Sequence, residues 1–231
     1  MTRARLVGGV LLCLVFGGVM TLTLRSIAAS PVGDSLPDTV LGTIAESGVE
    51  HPLTAVLLNF RSYDTLLEIG VLVIAAIAGL SLANPSALED PELRTHDVLL
   101  GALQRWFVPV MWLMAGYLVW AGAHQPGGAF QAGAVLAATG VLMRLGGMPI
   151  DFLRPNWLLR AGLVMGFAVF LVVAVMAAVV GEAFLAYPPG MEKSLILLIE
   201  VSLTLSIAMV LLSLFVAGPV HKGPGPRESD R

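Results

Sequence analysis

The 231-residue chain is 57% hydrophobic and 13% charged, with a mean hydropathy of +0.86. Soluble domains carry roughly 25% charged residues, so this composition excludes an ordinary globular domain. A net charge of -3 and the lack of a basic patch exclude a nucleic-acid partner, and the single cysteine, Cys13, excludes both an intrachain disulfide and a cysteine metal site.

Six runs approach the about 20 apolar residues needed to cross the hydrocarbon core of a bilayer. In chain order they cover 6–24, 65–83, 98–121, 128–145, 157–180 and 195–217. The first follows Arg3 and Arg5 and is longer than the apolar core of a signal peptide, so it is expected to be a retained anchor. A long polar segment, 25–64, separates it from the second run and is expected to be structured or functional. Within it, Ser35 and Asp38 read as a capping box that opens a short interfacial helix through Val40, Leu41 and Ile44. A second polar segment, 84–97, carries Pro85, Pro91 and acidic residues, and divides two runs from the four that follow. The fourth run is rich in Gly and Ala and is interrupted by Gln131 and Arg144, which suits a span packed closely against protein.

Positive charge is retained on the cytoplasmic side during insertion. With the N-terminus inside, Arg3, Arg5, Arg94, Arg105, Arg144, Arg154, Arg160, Lys222, Arg227 and Arg231 all fall at cytoplasmic ends, against Arg25, Arg61 and Lys193 outside. The expectation is an all-α integral membrane protein of about six transmembrane helices, with both termini cytoplasmic. A disordered tail is expected over 218–231.

Two carboxylates fall inside the spans. Glu68 lies about one turn into the second, and Glu200 on the order of 10 Å below the outer surface of the sixth. A lipid-facing carboxylate is costly, so each faces either a hydrogen-bonding neighbour or an ion path. Arg61 and Asp64, three residues apart, can pair across one helical turn, with Asp64 also able to cap the helix. Alternatively, they form a polar entry together with Glu68. His124 is either a loop residue that orders its turn or a proton relay at the outer face. Gln131 is expected to bond another helix, and Arg105 and Arg144 to reach toward the cytoplasmic interface. No lysine lies inside a span, no transmembrane histidine pair suits a haem, and no phosphate or flavin fingerprint occurs. Catalytic residues, metals and cofactors are therefore not expected.

Two segments carry a family resemblance. Residues 51–68, HPLTAVLLNFRSYDTLLE, resemble a stretch near the C-terminus of the Mrp antiporter's A component and in the small E component of membrane-bound hydrogenases. Residues 124–133, HQPGGAFQAG, resemble the H-x-x-PGGGFxGG signature of the Mrp (Mnh) B component, whose last helix usually carries an acidic residue, here Glu200. The order and helix counts are those of an E-like module over 1–84 joined through the 85–97 linker to a B-like module over 98–217. The chain departs from the pattern at Asn59, where the family usually has Asp, at Leu67, where it has Gly, and at Ala129 and Ala132, which replace loop glycines. Pro126, Gly127, Gly128, Phe130, Gln131 and Gly133 are the motif residues expected to serve packing, with Gly127 and Gly128 starting the helix tightly against a neighbour.

The resemblance implies a non-catalytic subunit of a sodium/proton antiporter complex in a prokaryotic cell membrane, in contact with other antiporter subunits, lipid, sodium ions and protons. Two alternatives stand beside it. One is the equivalent subunit of a membrane-bound hydrogenase or related respiratory complex, and the other is a purely structural scaffold.

Overall fold

A computed structural model describes residues 3–29, 36–83, 98–147, 157–180 and 184–217. The described residues form α1 (Arg3–Ala29), α2 (Leu36–Thr43), a 3-10 turn (Ile44–Glu46), α3 (Pro52–Ala55), a π turn (Val56–Phe60), α4 (Ser62–Leu82), α5 (Val98–Ala121), α6 (Ala129–Leu145), α7 (Trp157–Val180) and α8 (Glu192–Ala217). No strand occurs among them, and the chain is an all-α membrane protein. Helices α4, α5, α7 and α8 are long and apolar enough to cross a membrane, while α6 and the 13–26 stretch of α1 are shorter apolar helices. Ser35, Asp34, the 84–97 segment with Arg94, the 218–231 tail with Lys222, Arg227 and Arg231, and Arg154 lie outside the described residues.

Contacts divide the chain into one unit over Met1–Thr39 and a second over Val40–Arg231. In the first, α1 is a single apolar helix whose Thr21 and Thr23 hydroxyls donate back to the carbonyls of Gly17 and Val19, at 2.7 and 2.9 Å. Such back-bonding satisfies a polar side chain where lipid offers no partner.

The second unit is built around α8. Helices α6 and α7 pack along it, α4 packs on α7 and α8, and α5 packs mainly on α6. This position explains why α8 is apolar on nearly every side. Ile196, Ile199, Leu203 and Ile207 are all at most 3% exposed and cluster with Ile69 of α4 and Phe170 of α7, while Val210 clusters with Ala76 of α4 and with Leu159 and Leu163 of α7. Close approach depends on small residues, as expected where helices associate in lipid. A Cβ on Gly133 of α6 would lie 2.8 Å from Ile207, and one on Gly166 of α7 would lie 2.7 Å from the Ser206 side chain. Ser206 in turn donates to the Leu163 carbonyl at 2.7 Å.

Gln104, which the sequence did not single out, is buried in α5 and closes the far end of α6. Its amide donates to the Leu142 carbonyl and contacts the Met143 carbonyl at 3.4 Å. These carbonyls belong to the last turn of α6, where Leu142 O also accepts the Gly146 N–H at 3.2 Å, so Gln104 reinforces the helix end. Arg105 beside it is exposed, and Arg144 is half-buried and bonded in the last turn of α6.

Candidate ion-path cavity

The described part of the long outer segment is nearly all helical turns. Ser47, fully buried, ties the chain end of the 3-10 turn through its hydroxyl, with Ile44 O at 2.7 Å and Val49 O at 3.0 Å. His51 is extended, and Pro52 then opens α3 at a position where a missing N–H costs nothing. The helical winding that follows is not continued regularly. The π turn runs over Val56–Phe60, Arg61 breaks the helix at φ -128° and ψ 32°, and α4 restarts at Ser62.

A broken helix inside a membrane bundle leaves carbonyls that protein must satisfy. Here Thr65 donates to Leu57 O at 2.6 Å, Tyr187 to Leu58 O at 2.7 Å and Ser62 to Asn59 O at 3.1 Å. Tyr187 lies in the loop before α8, and burial pushes its phenol above the usual range, which keeps it a donor. Asn59 donates its amide to Ser47 O at 3.0 Å, a bond that the carboxylate usual at this position in the resembled family cannot make.

The same segment is sewn to the turn between α5 and α6. The N–H groups of Glu50 and His51 both donate to Ala123 O, at 2.9 and 3.1 Å, and the Thr54 hydroxyl donates to Gly122 O. In that turn, Gly128 has φ +109°, which favours glycine, and its N–H bonds Leu118 O at 2.8 Å. A Cβ on Gly122 would lie 2.7 Å from Gly128 Cα, and one on Gly127 would lie 2.6 Å from Leu118 O. At Gly127 and Gly128 the turn into α6 thus lies tightly against the end of α5. Ala129 and Ala132 are buried within α6 itself, where alanine is at home.

Glu200, only 3% exposed, projects from α8 toward this helix start. The Ala129 N–H, one of the N-terminal donors of α6 that lack a helical partner, bonds its carboxylate. The second oxygen, Oε2, is buried with no hydrogen-bond partner among the described residues. A buried polar atom in this position requires an explanation, and the capacity to take a proton or a cation is one.

Glu200 and Glu68 line a single cavity of about 320 Å³. Its walls are the α3 and π segment on one side and Pro126, Gly127, Gly128, Phe130 and Gln131 on the other. His51, Thr54 and Thr65 add polar groups that the sequence did not mark as site residues. They fall within the 51–68 motif, but nothing local shows that they meet Glu200, about 150 residues away.

The other candidates lie elsewhere. Arg61 and Asp64 form an ion pair with side chains 62% and 53% exposed, outside the cavity lining. No side chain caps the start of α4, so Asp64 serves as the first-turn partner of Arg61 rather than as a cap. His124 stacks against Trp120 at 5.8 Å and places Nε2 3.4 Å from the Lys193 amine. Gly133 packs on Ile207. Gln131 is exposed at the cavity, not enclosed between helices as its sequence position suggested, because α6 turns that face toward the opening.

The profile of a family described as "Domain related to MnhB subunit of Na+/H+ antiporter" matches residues 99–222. A protein of Rhizobium meliloti (strain 1021), named as a probable K(+)/H(+) antiporter component of the A/B type, is 26% identical over an alignment covering 63% of this chain. The chain spans 17% of that protein's length. The solved Mrp complex from Dietzia sp. DQ12-45-1b contains a chain of similar fold, with TM-score 0.60 and 20% identity over 98% of this chain and 27% of that one. A chain of the membrane-bound sulfane sulfur reductase, an archaeal respiratory membrane complex, matches with TM-score 0.62 and 19% identity over 94% of this chain and 100% of that one.

Proposed function

The chain belongs to the family of domains related to the MnhB subunit of Na+/H+ antiporters, and from that premise we propose that it is a non-catalytic membrane subunit of a multisubunit monovalent cation/proton antiporter. The observation that carries this reading is the convergence of Glu68 and Glu200 on one cavity beside the Pro-Gly-Gly turn. Oxygen ligands of this kind suit a hard monovalent cation or a proton. Glu46 and Glu50 on the outer segment are exposed, and they raise the local concentration of cations near the opening. The absence of lysine from the apolar runs, Lys193 standing in the charged first turn of α8, supports an accessory role, with the driving chemistry in larger partner subunits. Expressed without partners in antiporter-deficient cells, the chain is expected to leave sodium and potassium sensitivity unchanged. Robust rescue by the chain alone would contradict the proposal.

The proposed arrangement keeps both termini cytoplasmic, with an E-like module over 1–84 and a B-like module over 98–217. The α5–α6 turn and the cavity then face outward. In a Cys13→Ser background, Gln125→Cys is expected to react with an impermeant thiol reagent applied to whole cells, and Gly147→Cys at the other end of α6 to stay unlabelled. The reverse labelling pattern would invert the orientation.

A second reading follows from the respiratory-complex chain, which this protein matches over that chain's whole length. In it, the same cavity serves a redox-driven complex. Co-purification with redox-cofactor subunits would favour this reading, and co-purification with antiporter subunits alone the first.

A further inference from the structure

The cavity has a third titratable wall residue, His51, to which neither sequence resemblance assigns a role. Its backbone is fixed from both sides. The N–H is bonded to Ala123 O in the α5–α6 turn, and Pro52 follows at the start of α3. The imidazole is half-buried and shares the cavity lining with the buried Glu200 carboxylate. Its Nδ1 lies 3.5 Å from the Thr54 hydroxyl oxygen. The hydroxyl proton of Thr54 is committed to Gly122 O, so only an oxygen lone pair faces the ring. That arrangement favours the tautomer with its proton on Nδ1 and leaves Nε2 as the base.

The charged and titratable groups around the ring come from every neighbouring element. Glu68 of α4 and Glu200 of α8 share the cavity with it. Glu50 precedes it in the chain, and His124, in contact with Lys193 of α8, follows Ala123 in the turn. The two cavity carboxylates are the acceptors, while the His124 and Lys193 pair lies outside the lining.

We propose that His51 is the proton-relay residue of this cavity, and the inference rests on reading the cavity as an ion path. Nε2 takes a proton from outer water to give the imidazolium. The same proton then passes to the Glu68 or Glu200 carboxylate, and His51 returns to its neutral form. Thr54 is the positioning residue that holds the ring.

The test uses the assembled complex in everted membrane vesicles, with cation-driven proton movement followed by a pH-sensitive dye and with or without imidazole enclosed in the lumen. His51→Ala is expected to slow transport about a hundredfold, the low end of what a positioned acid–base group contributes, and enclosed imidazole to restore most of the rate. His51→Asn keeps a donor toward Thr54 but cannot titrate. It is expected to assemble, to stay slow and to lose the wild-type pH profile. A His51→Asn complex with the wild-type rate and pH profile would overturn the proposal, as would a His51→Ala complex unmoved by imidazole. If His51→Ala does not assemble, His51→Asn alone decides. Glu68→Gln/Glu200→Gln complexes separate the relay from the path. Intact transport there removes the ion path itself, whereas lost transport there beside normal His51 variants removes only the relay.

Discussion

Replacing Glu68 and Glu200 together by Gln is expected to abolish cation-driven proton movement while leaving assembly intact. The amide matches the carboxylate in shape. At position 200 its oxygen still accepts the Ala129 N–H, and its NH2 occupies the place of the unpartnered Oε2. Helix α8 therefore keeps its packing against α6, and what is lost is the ability to carry a charge or a transferable proton. Each single variant is expected to lower the rate by about a hundredfold or more, the scale of losing one positioned proton-transfer group. The readout is dye-monitored antiport in everted vesicles across pH, alongside complex yield on a native gel. Wild-type transport by an assembled double variant would leave the chain a scaffold. Asp64→Asn provides the contrast, because an exposed ion pair outside the cavity contributes little and its loss is expected to leave transport near wild type.

The second large effect is expected at Gly122. An added Cβ there meets the Gly128 backbone at 2.7 and 2.9 Å, and neither backbone atom can rotate away. The turn is held on both sides, by Gly128 N–H on Leu118 O and by Thr54 on Gly122 O, so relief requires both contacts to open. Gly122→Ala is expected to cost roughly 1–3 kcal/mol, the usual range for overpacking, and Gly122→Val enough to prevent accumulation of the folded protein. Thermal unfolding in detergent and membrane abundance are the measurements. Gly116→Ala in the middle of α5, where an added Cβ would meet nothing within 4 Å beyond its own helix backbone, is the control and is expected to be neutral. Equal stability of Gly122→Ala and Gly116→Ala would contradict the tight turn.

The helices were legible in the sequence because lipid imposes a single requirement, a long apolar run. Helices α5 and α7 cover the expected 98–121 and 157–180 without change. Helix α6 starts one residue late, because Gly128 adopts a positive φ and stands before the helix. Helix α8 starts three residues early, at Glu192, since a charged first turn outside the apolar run is invisible to hydropathy. The outer segment was legible as structured but not in its form. The Leu58 carbonyl within the π turn is taken by Tyr187, a partner 129 residues away that no local pattern reveals. Glu68 and Glu200 each stood out as a carboxylate within an apolar run, while their place on one cavity depends on α4 packing against α8. Arg61 and Asp64 looked continuous with Glu68 by spacing, but Arg61 is the break residue, and its pair with Asp64 stays at the exterior. Gln104 gave no signal, because a lone Gln in an apolar run does not reveal which carbonyls it meets.

The most direct test of an accessory role is affinity purification of this chain from its native membranes in mild detergent, with the co-purifying proteins identified and their stoichiometry measured. The account predicts a fixed-stoichiometry assembly with larger multispanning antiporter subunits. Recovery of the chain alone or only with copies of itself, and capable of cation/proton exchange once reconstituted, would contradict it.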